Sequence, residues 1–113
     1  MFVRDSDDRI KFWNRAAENL YGWTSDEAVG QPAARLLKTI FPAPYPAILE
    51  ELERTGRWEG EMVHTCRDGR QATVNSRWAL QRDSHGRPAA VLETNTDITA
   101  QRAPEDKLDR TRS

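Results

Sequence analysis

His64 and Cys66 are the two residues most able to do chemistry, and they stand two positions apart. A Cys–His pair can bind a metal, or act as nucleophile and base. On an extended strand, positions i and i+2 share one face, so this pair offers two ligands from one strand, and no Asp or third ligand has matching spacing. Cys66 therefore reads as a small strand residue beside a hairpin. His64 keeps two readings: a polar or pH-sensitive contact, or a sheet histidine bonded to a neighbour. His85 falls in a turn and reads as solvated.

A second group lies near the C-terminus. Glu93 and Asn95 share one face of an extended run. Asn is depleted in strands and needs a partner there, and a buried glutamate needs a cation or water. Arg77 and Arg35 are the candidate cations. Asp97 and Thr99 end the run, and a carboxylate there can accept N–H groups from the turn that follows. The chain holds no glycine-rich phosphate loop, nucleophile elbow or metal motif. The expectation is a non-catalytic chain with no metal site.

The elements that position these residues follow from periodicity. Met1 to Arg4 reads as a strand, Asp5-Ser6-Asp7-Asp8 as a turn, and Arg9 to Trp13 as a second strand with Ile10 and Phe12 on one face. Asn14 is an N-cap and Gly22 a helix terminator. Thr24 with Glu27 makes a capping box for a short helix ending at Gly30. Ala33 to Ile40 reads as a helical turn. Three prolines break the run Phe41 to Pro46, and one longer helix follows over Ala47 to Thr55, ended by Gly56.

Three strands complete the chain: Arg57 to Cys66, Gln71 to Arg82, and Pro88 to Ile98. Asp68-Gly69 and Asp83-Ser84-His85-Gly86 are the turns between them. Sequential strands joined by short turns argue antiparallel pairing and an α+β fold. Val74, Ser76, Trp78 and Leu80 share one strand face. The polar tail includes Pro104, placed to start a charged helix.

Lys and Arg number 17 and Asp and Glu 18. That balance gives no electrostatic reason to expect nucleic acid or an anionic membrane. The four tryptophans, Trp13, Trp23, Trp58 and Trp78, read as packing residues, because no phosphate-binding patch accompanies them. One cysteine permits no internal disulfide and is compatible with a reducing compartment. Apolar runs are short of a membrane span and no signal segment appears. The expectation is a cytoplasmic piece of a longer protein.

The ordered set Trp13-Asn14, Leu20-Tyr21-Gly22-Trp23-Thr24, Glu27-Ala28-Val29-Gly30, Trp58-Glu59-Gly60-Glu61, Asp68-Gly69 and Asp97-Ile98-Thr99 resembles the PAS family of sensory domains. The resemblance runs from Met1 to about Arg102. It implies a PAS domain over 1–102, with 103–113 as a charged linker opening a signalling helix. It also implies a five-stranded antiparallel sheet with small helices on one face, cupped around a cavity. In that family such a module binds a small molecule, or binds nothing and mediates dimerisation, and many members precede histidine kinases or cyclic-nucleotide signalling enzymes.

The resemblance makes His64 a cavity-facing residue and Asn95 the position of a ligand-contacting amide in flavin-binding relatives. A structural amide is the other reading of Asn95. The implied ligand-binding set is His64, Ser76, Trp78, Asn95, Met62, Leu52 and Ile48. Further apolar candidates are Phe12, Leu20, Leu36, Leu37, Ile40, Val74 and Val91. Asp97 and Thr99 form the implied signal relay. The cofactor stays unknown: the photoreactive flavin subfamily places a cysteine after a Gly-Asn pair, and here Gly30-Gln31 precedes Pro32. Haem-binding members use a histidine on the long helix, which here has none. The implied partners are a small-molecule ligand, a second copy through the PAS surface, and a C-terminal effector domain.

Overall fold

The computed structural model describes residues 1–101. The expected helix after Pro104, and the division between 102 and 103, lie outside the described residues. The described chain runs β1 (Phe2–Asp5), β2 (Ile10–Trp13), α1 (Arg15–Tyr21), α2 (Ser25–Ala28), α3 (Ala33–Leu36), α4 (Tyr45–Thr55), β3 (Arg57–Thr65), β4 (Gln71–Arg82) and β5 (Pro88–Asp97). The strands form one sheet in the order β2-β1-β5-β4-β3, and every pairing is antiparallel. This is the α+β arrangement that the turn chemistry demands.

Local signals set the element ends. The Asn14 side chain accepts the Ala17 N–H at 2.9 Å, and Gly22 closes α1 in the left-handed region at φ +82°, which glycine adopts without strain. The Thr24–Glu27 capping box forms in both directions. The long β3–β4 hairpin turns at Asp68-Gly69, where Asp68 Oδ1 accepts the Arg70 N–H at 2.9 Å.

Three expectations need correction. The long helix starts at Tyr45, not after Pro46. Pro46 sits in its first turn, where a helix N–H has no partner in any case. The turn after Pro32 ends at Leu36, because Lys38 takes a left-handed backbone at φ +46°. Ile40 instead bridges to Val63, leaving its side chain 55% exposed and outside any cavity. Phe12 does not share a face with Ile10. The β1–β2 register shifts between Val3 and Arg4, so Ile10 and Trp13 are buried while Phe12 is 49% exposed.

The helices cover one face of the sheet. Ile48 and Leu52 of α4 are buried against it, together with Met62, Val74, Trp78 and Val91. The Trp58 and Trp78 rings lie 4.9 Å apart. A Cβ at Gly60 would meet the Trp58 ring at 2.6 Å, so this position admits only glycine while Trp58 holds its place.

Candidate functional site

The inner face of the sheet carries a buried polar network. Period-2 alternation places Ser76 and Trp78 of β4 beside Asn95 and Glu93 of β5, their register partners. The Trp78 indole N–H donates to Ser76 Oγ at 2.8 Å, and the Ser76 hydroxyl donates to Glu93 Oε1 at 3.3 Å. The Asn95 Nδ2 donates to the same oxygen at 3.4 Å. From β1, Arg4 Nε donates to Glu93 Oε2 at 3.3 Å. Ser76 and Glu93 are buried, and Arg4 is only 4% exposed.

Arg4, and neither Arg77 nor Arg35, is the cation that serves Glu93. Arg77 points out of the opposite face, where its Nε lies 3.5 Å from Glu59, and Arg35 is exposed. The signal for Arg4 was available: it is two residues from Phe2, so any strand that buries Phe2 buries Arg4 as well. The apolar look of Met1 to Arg4 concealed it. Burial holds the Glu93 carboxyl above the ordinary carboxylate range, with Arg4 opposing. The guanidinium also lies 4.2 Å over the Trp78 ring and 3.6 Å from Asp8 Oδ1.

Asp8 is a second residue that sequence reasoning passed over. It ends the β1–β2 turn in a left-handed backbone at φ +65°, which Asp tolerates, and its Oδ2 accepts the Ala34 N–H at 2.9 Å. The turn thereby fastens α3 to the sheet edge and presents a carboxylate toward Arg4.

His64 is buried beside this network. Its Nδ1 is 2.7 Å from the Tyr21 hydroxyl, and burial lowers its pKa to about 4. Burial also pushes the Tyr21 hydroxyl well above its ordinary value. Tyr21 is thus the neighbour to which this sheet histidine is bonded. Cys66 packs at the hairpin with Sγ 3.4 Å from the Leu20 carbonyl. Its thiol is held above its ordinary value by burial. Among the described residues no cluster of three or more His, Cys, Asp or Glu could hold a metal ion.

Met62, His64 and Trp78 line an inner void with Phe2, Arg4, Phe41, Tyr45 and Glu93. Its volume is about 10 Å³, room for one water-sized group. Ile48, Leu52, Ser76 and Asn95 contribute to the same core without lining that void. Phe41 and Tyr45 fill the core from the helical side, their rings 4.9 Å apart, with Phe41 set edge-on to Trp78 at 6.5 Å.

At the end of β5 the chain leaves the sheet through a hydrogen-bonded corner. Asp97 Oδ1 accepts the Thr99 N–H at 2.9 Å and the Thr99 hydroxyl at 2.6 Å. Thr99 Oγ1 accepts the Thr73 N–H from β4 at 2.9 Å, and Ile98 N–H donates to the Thr73 carbonyl at 2.8 Å. Burial pushes the Asp97 carboxyl up, but its two bonds from Thr99, with help from Arg70, hold it below its ordinary range. His85 lies exposed in the β4–β5 turn.

Comparisons with known proteins agree with this architecture. A PAS domain of a protein from Colwellia psychrerythraea is 26% identical, with a TM-score of 0.75, covering 88% of this chain and 85% of that one. An RNA-binding light-oxygen-voltage receptor aligns with a TM-score of 0.76 at 18% identity; the alignment covers 97% of this chain but 32% of the receptor. The dark-state LOV domain of the blue-light photoreceptor Aureochrome1 gives 0.69 at 18% identity, over 97% of this chain and 83% of that one. The last two likenesses speak to the fold alone. No curated protein sequence matches the chain. Among the described residues no helix is long and apolar enough to cross a membrane. The PAS fold model matches residues 1–103, and with the sheet order and the helices on one face this makes the chain a member of the PAS family of sensory and regulatory modules.

Proposed function

We propose that this PAS domain is the sensing module of a larger cytoplasmic signalling protein. It binds a small molecule at the inner face of its sheet and passes the change to a C-terminal effector, such as a histidine kinase of a two-component system. One observation carries this reading. Glu93, Asn95 and Asp97 are alternate residues of one strand, so the buried polar network and the exit corner share β5. A ligand that alters the partners of Glu93 or Asn95 would move β5, and the Asp97–Thr99 corner would convert that movement into a new direction for the chain beyond it. The two directions then act as the two states that an effector reads.

Two experiments test this. Native mass spectrometry of freshly purified protein is expected to find a bound small molecule. In the full-length parent, Asp97→Ala is expected to leave the domain folded and to remove the stimulus dependence of effector output. A wild-type response from a stable Asp97→Ala protein would make the corner a strand terminator and nothing more.

A second reading, a ligand-free dimerisation module, has its own support. On the outer face, Phe12 pairs with Val3, Val3 with Leu92, and Leu92 with Ala79. These four make an apolar row across four strands, a feature typical of contact surfaces. Leu92→Lys distinguishes the readings. Conversion of a dimer to a monomer in analytical ultracentrifugation, with no bound molecule in native mass spectrometry, would favour the dimerisation module.

A further inference from the structure

Among the described residues, cations gather around one surface hollow without matching acids. The hollow measures about 420 Å³ and lies between the end of α3 and the β3–β4 hairpin, within the size range of small-molecule sites. Arg35 of α3, Lys38 just beyond it and Arg67 of the hairpin line it, and none of its lining residues is Asp or Glu. The chain carries 18 acidic residues, so the imbalance belongs to this place and not to the composition. All three cationic residues are exposed, and a solute reaches them directly from water.

Their existing partners leave charge over. Arg67 Nη1 lies 3.1 Å from Glu27 Oε1, and its guanidinium is 5.5 Å from the centre of the Trp23 ring. Among the described residues no carboxylate pairs with Arg35 or Lys38. Three cations and one paired glutamate therefore leave a surplus of two positive charges. The fold itself draws them together. The Thr65 N–H donates to the Leu37 carbonyl at 2.6 Å, which ties the end of α3 to β3, and Lys38 follows in a left-handed backbone. Gathering like charges costs Coulomb energy, and an anion seated among them offsets it. Trp23 and Leu36, both half-buried, add an apolar wall.

We infer that the hollow between α3 and the β3–β4 hairpin binds a small organic dianion, a dicarboxylate or a phosphate monoester, at Arg35, Lys38 and Arg67. The surplus of two charges favours a dianion over a monoanion. The Trp23–Leu36 wall favours an organic anion over a bare inorganic one. The site lies outside the inner face of the sheet and stands apart from the sensing role proposed above. Its occupant joins α3 to the hairpin.

Phthalate, phenyl phosphate and benzoate test this, being the two kinds of dianion and a monoanion built on one ring. Each is titrated into the full chain at pH 7 and low salt and followed by ¹⁵N–¹H NMR. At least one dianion is expected to shift the Leu36, Lys38, Thr65 and Arg67 amides saturably and to bind at least fivefold more tightly than benzoate. That advantage is expected to shrink in high salt. The tighter of the two dianions identifies the anionic group. Arg35→Gln combined with Lys38→Gln changes only exposed side chains. It is expected to weaken the dianion at least fivefold while leaving the Trp78 indole resonance in place, which reports an intact fold. Arg54→Gln combined with Arg87→Gln removes the same charge elsewhere on the surface and is expected to leave binding unchanged. No saturable shift with either dianion, benzoate binding as tightly as both, unchanged binding in the first double variant, or an equal loss in the second would overturn the inference.

Discussion

The two faces of this one sheet treat charge in opposite ways. The inner face buries Arg4 and Glu93 and ties them to Ser76, Asn95 and Trp78. The outer face leaves Arg77 and Glu59 in water at 70% and 56% side-chain exposure, with Asn75 donating to Glu59 at 3.2 Å, and keeps its apolar row of Phe12, Val3, Leu92 and Ala79 between such charges. Both faces hold an Arg–Glu pair at similar distance, 3.3 Å inside and 3.5 Å outside. Solvent is the difference. Inside, removing one partner strands the other in a low-dielectric setting; outside, water replaces it. Geometry alone would rank the pairs as equals, and burial separates them.

The largest effect that probes this contrast is expected from Glu93→Ala. It leaves Arg4 buried with Asp8 as its remaining carboxylate partner, and is expected to cost about 3–5 kcal/mol in urea unfolding. A loss no greater than that of an outer-face mutant would break the contrast. The pH dependence comes next. His64 is held neutral in the fold with a pKa of about 4, below its ordinary value. Its contribution is therefore fully present above pH 6.5 and lost as pH falls from 6.5 through about 4, a change on the order of 3 kcal/mol. Glu93, raised by burial, contributes with the opposite slope: its share is present at low pH and lost as pH rises through its folded pKa. The comparison of wild type with His64→Gln isolates the histidine. Identical stability loss in the two proteins between pH 6.5 and 4 would remove it as the cause.

Smaller effects sharpen the comparison. Asp97→Ala removes capping-type bonds at an exposed corner, and is expected to lower stability by about 1 kcal/mol, read from the shift in the urea midpoint. Arg77→Ala on the outer face is expected to cost less than about 1 kcal/mol, and to lose even that in high salt. A cost comparable to that of Glu93→Ala would mean that the outer face is covered, for example by a second copy of the chain.

Much of this arrangement was legible in the residues themselves. Asn14, Gly22, the Thr24–Glu27 box, Asp68-Gly69 and Asp97–Thr99 act through bonds that span a few positions, so their chemistry is written locally. The period-2 phasing of β3, β4 and β5 likewise placed Met62, His64, Ser76, Trp78 and Asn95 on one side of the sheet before any tertiary contact was known. Tertiary structure alone decided who meets whom across the fold. Arg4 reaches Glu93 from 89 positions away, and Tyr21 reaches His64 from 43, because antiparallel order set β1 against β5 and α1 against the sheet. The register shift between Val3 and Arg4 turned Phe12 out, and the left-handed Lys38 sent Ile40 into a bridge. Local sequence determines what each element is and, where no bulge breaks the alternation, which face it buries. The partner of a buried charge is chosen by strand order and packing, which no short window of sequence contains.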